Sequence, residues 1–288
     1  MAHSRLATPG ATIAVLRAHD IQTRKSLGQH FLIDDNVVGR ILALADLQGD
    51  EAVLEIGPGI GTLTVALCEA AGSVVAVERD SRLLEVLADT TAGCDTLRIV
   101  HADAVNVSPT ELETPAGPPV ALVANLPYAV AATVVLRFFE VLPSLRFAVV
   151  MVQSEVADRM AASPGCKEYG AYTVKLNLHA RTAGRFNVPP ACFLPPPRVD
   201  SAVLRIERVD APAPPEYVEA AACMADAAFA QRRKTLRNSV RSTLGVPADV
   251  IDAVLASALL DGARRAETLT VTEFLRFGEA ATRFGLLP

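Results

Sequence analysis

Between residues 52 and 153 short apolar runs alternate with helical patterns, and nothing else in the chain restricts its fold so tightly. AVLEIG (52–57), SVVAVE (73–78), TLRIV (96–100), VALVAN (120–125) and LRFAVVMVQ (145–153) read as buried strands. Helical patterns follow at about 62–71, 80–89 and 131–141. Strands alternating with helices imply βαβ units, a parallel sheet and right-handed crossovers. Near-continuous apolar strands fit a sheet covered on both faces. RFNVP (185–189) and SAVLRIE (201–207) fit a closing antiparallel pair around a proline-rich loop.

The flanks differ. Residues 1–23 read as a flexible basic arm with one short helical stretch at Ala11–His19. Asp34 or Asp35 suits the N-cap of a helix running through Leu47. The segment from Asp210 to Pro215, DAPAPP, is the clearest linker. Beyond it helical patterns cover about 216–231, 233–243, 247–258 and 271–283. The expected organisation is an arm (1–23), an α/β domain (24–208) and a small helical domain (209–288).

With 51 % apolar and 20 % charged residues, the 288-residue chain can bury a sizeable core. No window approaches about 18 consecutive apolar residues, which excludes an ordinary transmembrane helix. The N-terminus lacks an apolar stretch of signal-peptide length, so a cytoplasmic protein is expected. The five cysteines form no CxxC and no Cys/His cluster, so neither a disulfide framework nor a metal site is expected. The net charge of −5 is unevenly spread: +3 over 1–30, −10 over 31–150 and +2 over 151–288. Local basic patches, not the overall balance, decide whether phosphates are attracted.

Glu55-Ile56-Gly57-Pro58-Gly59-Ile60-Gly61 ends the first strand and opens a helix. Glycines there let a ligand approach the backbone at a helix N-terminus, a device shared with dinucleotide-binding folds. Three details set this loop apart. Its spacing is GxGxG. Glu55 precedes it, and a carboxylate repels a pyrophosphate but suits an ammonium or sulfonium. Glu78 ends the second strand 21 residues after Gly57, where an acid can accept from both ribose hydroxyls. Asp103 follows the third strand, placed to meet an adenine amino group. Singly, each is a cap or turn residue of an ordinary α/β domain; together they point to S-adenosylmethionine.

Asn125-Leu126-Pro127-Tyr128 follows the fourth strand at its carboxyl end, the edge where open parallel sheets bind ligands. An exocyclic adenine amine is a poor nucleophile because its lone pair is delocalised into the ring. The Asn125 side-chain oxygen and the Leu126 carbonyl can accept both of its N–H bonds, favouring a pyramidal nitrogen with a localised pair. Pro127 fixes φ and turns that carbonyl inward. Tyr128 offers a face on which a base can stack. A strand-ending turn is the plainer alternative.

With these residues the chain resembles, over nearly its whole length, the KsgA/RsmA family of small-subunit rRNA adenine dimethyltransferases. The resemblance runs through the segment from Lys25 to Leu32, Glu55 to Gly59, Val77 to Asp80, Asp103-Ala104, Asn125 to Tyr128, Phe193 to Ser201, and Gln231 to Asn238. It implies a class I, Rossmann-like S-adenosylmethionine-dependent methyltransferase with a mostly parallel seven-stranded sheet and a helical C-terminal domain that binds rRNA. It implies N6,N6-dimethylation of two adjacent adenosines near the 3′ end of 16S rRNA within an immature 30S subunit, by a monomer needing no metal and no membrane. Carried over residue by residue, the cofactor contacts fall on His30, Leu32, Gly57, Glu78, Asp103 and Asn125, with Glu55, Gly59 and Ala104 beside them. The family usually has Asn where this chain has His30; a backbone contact survives that change and a side-chain amide contact does not.

Two further segments follow from the resemblance. Phe193, in the proline-stiffened loop, is expected to clamp an extruded adenine opposite Tyr128, the alternative being a core residue that anchors the loop. Arg232, Arg233, Lys234, Arg237 and Arg241 form a run without an acid between Asp226 and Asp249, with 233, 237 and 241 on one helical face. Contact with rRNA phosphates is expected there, and from Arg24 and Lys25, against the alternative of a solvated face. Rival functions are a 23S rRNA adenine-N6 methyltransferase of the macrolide-resistance type and an assembly factor acting mainly by binding. A nicotinamide oxidoreductase leaves Glu55 and the tetrapeptide without a role.

Overall fold

The computed structural model describes residues 3–21 and 29–286, so Arg24, Lys25 and the start of the Lys25–Leu32 motif lie outside the described residues. Twenty elements follow in chain order. They are α1 (Pro9–Ala18), β1 (Phe31–Leu32), α2 (Asp35–Ala45), β2 (Ala52–Ile56), α3 (Thr62–Ala70), β3 (Ser73–Glu78), α4 (Ser81–Thr90), β4 (Leu97–His101), β5 (Ala121–Asn125) and α5 (Ala131–Val141). Then come β6 (Phe147–Gln153), α6 (Ser154–Met160), α7 (Ala171–Asn177), β7 (Ala180–Val188), β8 (Phe193–Leu194), β9 (Ser201–Arg208), α8 (Pro215–Phe229), α9 (Leu236–Leu244), α10 (Ala248–Ser257) and α11 (Val271–Arg283).

Seven strands form one sheet in the order β4-β3-β2-β5-β6-β9-β7. The five from β4 to β6 are mutually parallel, and β9 runs antiparallel to β6. Every residue of β2 and β3 is buried, as expected for strands with helices on both sides. Asp34, not Asp35, caps α2, accepting from the Asn36 N–H. Asp80 caps α4 by accepting from the Arg82 N–H.

Two compact units divide the chain: Met1–Ala157 with Thr182–Arg208, and Asp158–Arg181 with Val209–Pro288. The chain passes from the first unit to the second after Arg208, and 158–181 lies in the second unit, whereas the sequence reading includes it in the α/β domain. The reason is its apolar content: Tyr169 and Val174 are buried in the same core as Met224, Leu236, Phe274 and Phe277. The expected loose arm is also folded over its described part. The Asp35 carboxylate accepts from the His3 and Ser4 N–H groups at 3.0 and 2.7 Å, and Leu6, Ala7 and Leu16 are buried.

In the second unit, a Cβ on Gly278 of α11 would stand 2.4 Å from the Ala221 nitrogen of α8, so these helices cross with their backbones nearly touching. Thr270 and Glu273 form a capping box at the start of α11. Thr235 caps α9, accepting from the Asn238 N–H, which starts that helix at Leu236, after Lys234 and before Arg237 of the basic run.

Candidate active site

Because β2, β3, β4 and β5 are parallel, their carboxyl ends share one edge of the sheet. The glycine loop, Glu78, Asp103 and the 125–128 turn are therefore neighbours. All of them line one cavity of about 760 Å³, together with His30, Leu32, Ala104 and Asp80.

Glu55 projects from β2 into this cavity and is 1 % exposed. Its Oε2 has no hydrogen-bond partner among the described residues. Burial pushes its carboxyl up to about 8; Thr64 lowers it and Glu78 adds to the rise. The loop that follows turns through Gly57 (φ +69°) and Gly59 (φ +61°), left-handed conformations that favour glycine.

Glu78 ends β3 with its carboxylate held by backbone: Oε1 accepts from the Asp80 N–H at 2.8 Å and Oε2 from the Gly59 N–H at 3.3 Å. Burial raises its pKa and these bonds oppose the rise. Asp80 accepts from the Gln29 amide at 3.0 Å and pairs with Arg82, which draws its carboxyl below the usual range. Asp103 accepts from the Val105 N–H through Oδ1 and lies 3.3 Å from the exposed Arg79 guanidinium through Oδ2.

In the tetrapeptide, Asn125 Nδ2 donates to the His30 carbonyl at 3.4 Å, which leaves the amide oxygen for another partner. The Leu126 N–H bonds to Met151 of β6, and no N–H among the described residues donates to the Leu126 carbonyl. Tyr128 stacks on the His30 imidazole, ring centroids 5.6 Å apart at 28°, and its hydroxyl lies 2.7 Å from Ser201 Oγ. Burial raises the phenol's pKa and Ser201 opposes the rise. His30 Nδ1 lies 2.7 Å from the Pro195 carbonyl, so this residue meets Asn125 through its backbone carbonyl and both Tyr128 and Pro195 through its ring. The roles of Ser201 and Pro195 were not read from the sequence, where both fall in a loop motif with no local signal of what it faces.

Phe193 does not line the cavity. At 2 % exposure it sits in the main core and pairs with Leu32 in the short β1–β8 ribbon, so it anchors the loop and presents no face to a base. The basic run is likewise altered. Arg232, Arg233 and Lys234 lie in a turn before α9, and of the expected helical face only Arg237 and Arg241 are helical. Arg232 donates to the Lys167 and Tyr169 carbonyls. Arg237 grips Asp252 with two bonds of 2.5 and 2.6 Å. Arg233 and Lys234 are exposed and make no ion pair among the described residues.

A mostly parallel seven-stranded sheet with this acid-and-glycine turn and an Asn-Leu-Pro-Tyr turn at one edge defines a Rossmann-like methyltransferase. The chain belongs to the ribosomal RNA adenine dimethylase family, whose model matches residues 21–277. It is similar to proteins named ribosomal RNA small subunit methyltransferase A. That of Kineococcus radiotolerans is 45 % identical over 260 residues, covering 89 % of this chain and 85 % of its own. That of Geobacillus thermodenitrificans is 40 % identical over 285 residues, covering 96 % and 97 %. Among solved structures, a dimethyladenosine transferase from Plasmodium falciparum shares the fold with a TM-score of 0.74 over 89 % of this chain and 98 % of that one, at 24 % identity. The 23S rRNA methyltransferase ErmE gives 0.66 over 87 % and 98 %, at 27 % identity. No helix among the described residues is long and apolar enough to cross a membrane.

Proposed function

We propose that this enzyme transfers methyl groups from S-adenosylmethionine to N6 of two adjacent adenosines near the 3′ end of 16S rRNA, in an immature 30S subunit and in the cytoplasm. One observation carries the reading: Glu55, Glu78, Asp103 and the Asn125–Tyr128 turn meet in a single cavity. The residues fit the cofactor. Glu55 Oε2 is buried without a partner among the described residues, so a cationic group entering the cavity would satisfy it. The Glu78 carboxylate retains acceptor capacity for two ribose hydroxyls. Asp103, beside Ala104, suits an adenine amino group. His30 and Leu32 close the cavity from the side of β1.

When bound, S-adenosylmethionine supplies a sulfonium methyl to a nucleophile. The chain's task is to make an adenine amine nucleophilic and to hold it in line. Asn125 Oδ1 and the Leu126 carbonyl accept the two N6 hydrogens and localise the lone pair. Tyr128, with one ring face covered by His30, offers the other to the base. The nitrogen that has accepted a methyl group is cationic and releases one proton to water; it then keeps a single hydrogen, so one of the two acceptors gives way to the new methyl group. The basic residues of the second unit, Arg233 and Lys234 foremost, would engage rRNA phosphates and position the substrate without reading its sequence.

Transfer of tritiated methyl groups to under-methylated 30S subunits, with the products identified by nucleoside mass spectrometry, tests this. Paired N6,N6-dimethyladenosines in 16S rRNA are expected. Methylation of 23S rRNA alone would favour the macrolide-resistance type of activity instead, and 30S binding without methyl transfer would favour an assembly factor.

A further inference from the structure

The backbone of the 125–128 turn does not by itself fix where the Tyr128 ring points; two side-chain contacts do. The hydroxyl meets Ser201 Oγ at 2.7 Å and the ring leans on His30. Both supports are anchored. Ser201 is fully buried at the start of β9, opposite Gln153 of β6, and β6 is the strand that pairs with β5 below the turn. His30 is tied to the Pro195 carbonyl and, through its own carbonyl, to Asn125. Pro195 and Ser201 bracket one loop, and β8 at its start pairs with β1, next to His30. Asn125 and Tyr128 are thus linked through a closed circuit of contacts outside their own turn.

A buried serine hydroxyl is costly without a partner, and an alanine would serve a core strand as well. Here the hydroxyl's side-chain partner is a phenol that lines the cavity. Fixing that ring in advance removes the ordering cost that a substrate base would otherwise meet on stacking. We infer that Ser201 is a positioning residue for methyl transfer, acting through the Tyr128 hydroxyl to hold the stacking ring in place. This rests on the methyltransferase reading of the tetrapeptide.

A double-mutant cycle tests it, with single-turnover methyl transfer to under-methylated 30S subunits as the readout. Ser201→Ala is expected to slow the step about tenfold with cofactor and 30S affinities unchanged, and Ser201→Thr to restore most of the rate. Tyr128→Phe should cost the same, and the double variant no more than either single. A wild-type rate in Ser201→Ala, or losses that multiply in the double variant, would overturn the inference. Should Ser201→Ala fail to fold, Tyr128→Phe breaks the same bond from its other end, and a wild-type rate there is equally fatal. If wild-type protein methylates no 30S subunit, the 16S reading fails, and the inference is decided without substrate by ultraviolet phenolate titration. The Tyr128 signal, isolated by subtracting the Tyr128→Phe protein, should move to higher pH in Ser201→Ala, because the serine can donate to the phenolate; an unmoved signal rejects the role.

Discussion

The Pro127 ring stands beside the place a Cβ on Gly57 would occupy, its Cγ and Cδ both 3.1 Å from it. The glycine turn and the tetrapeptide turn are therefore packed against each other, and strain in one reaches the other. Gly57→Ala meets this contact and a φ of +69°, a left-handed conformation that costs an L-residue roughly 1–2 kcal/mol. Lower thermal stability, weaker cofactor binding by calorimetry and slower methyl transfer are all expected. Gly93→Ala, where a Cβ meets nothing within 4 Å, should stay within about 0.5 kcal/mol of wild type.

Glu78→Ala should weaken S-adenosylmethionine binding by ~1.5–3 kcal/mol, the range for hydrogen bonds to a charged group. Because the carboxylate also accepts from the Asp80 and Gly59 N–H groups, the apo protein should melt earlier too. Unchanged cofactor affinity by calorimetry, in a folded variant, would remove Glu78 from the binding set.

Glu55 sets a pH dependence. Its carboxyl is raised from 4.5 to about 8 by burial, so between those values the unfolded chain has released a proton that the folded chain keeps. Stability from this group is full below 4.5 and is lost as pH rises through about 8. The slope is up to about 1.4 kcal/mol per pH unit. Urea melts of the ligand-free protein should show this decline, and Glu55→Gln should flatten it. A cationic partner favours the ionised form, so cofactor binding below pH 8 should release a proton. Calorimetry in buffers of different ionisation enthalpy measures that release.

Asn125→Ala should slow methyl transfer by at least ~10²-fold, comparable to losing one preorganised polar contact to a transition state. Cofactor affinity should fall less. Near wild-type single-turnover rates would mean that another group holds the amine.

On the second unit, Arg233→Glu with Lys234→Glu should weaken 30S binding and flatten its dependence on salt, leaving cofactor affinity unmoved. Arg237→Ala should change the salt slope less, since that guanidinium is already paired with Asp252. Filter binding across a salt series separates the two. Equal slopes in all variants would return the run to a solvated face.

The sheet was legible because buried parallel strands leave continuous apolar runs, and the cavity's lining because its acids and turns stand at or near the carboxyl ends of those runs. What escaped depends on contacts distant in sequence. Nothing local tells whether Phe193 faces a core or a cavity; its pairing with Leu32, far away along the chain, decides it. Ser201 and Pro195 gain their roles from Tyr128 and His30 in the same way. The helices α6 and α7 are seven residues each, too short to show a period, and so 158–181 read as part of the wrong unit. The late start of α9 was legible in principle, since Thr235 is a good N-cap directly after Lys234.

The second unit is assembled from two stretches of chain, Asp158–Arg181 and Val209–Pro288, with Thr182–Arg208 returning to the first unit between them. It is thus partly an insertion and partly an appendage. A fragment ending at Arg208 would retain Tyr169 and Val174 but strand them without Met224, Phe274 and Phe277, the apolar surface that buries them. Exchange of the helical unit between relatives, by recombination or by hand, would therefore require two grafts made together.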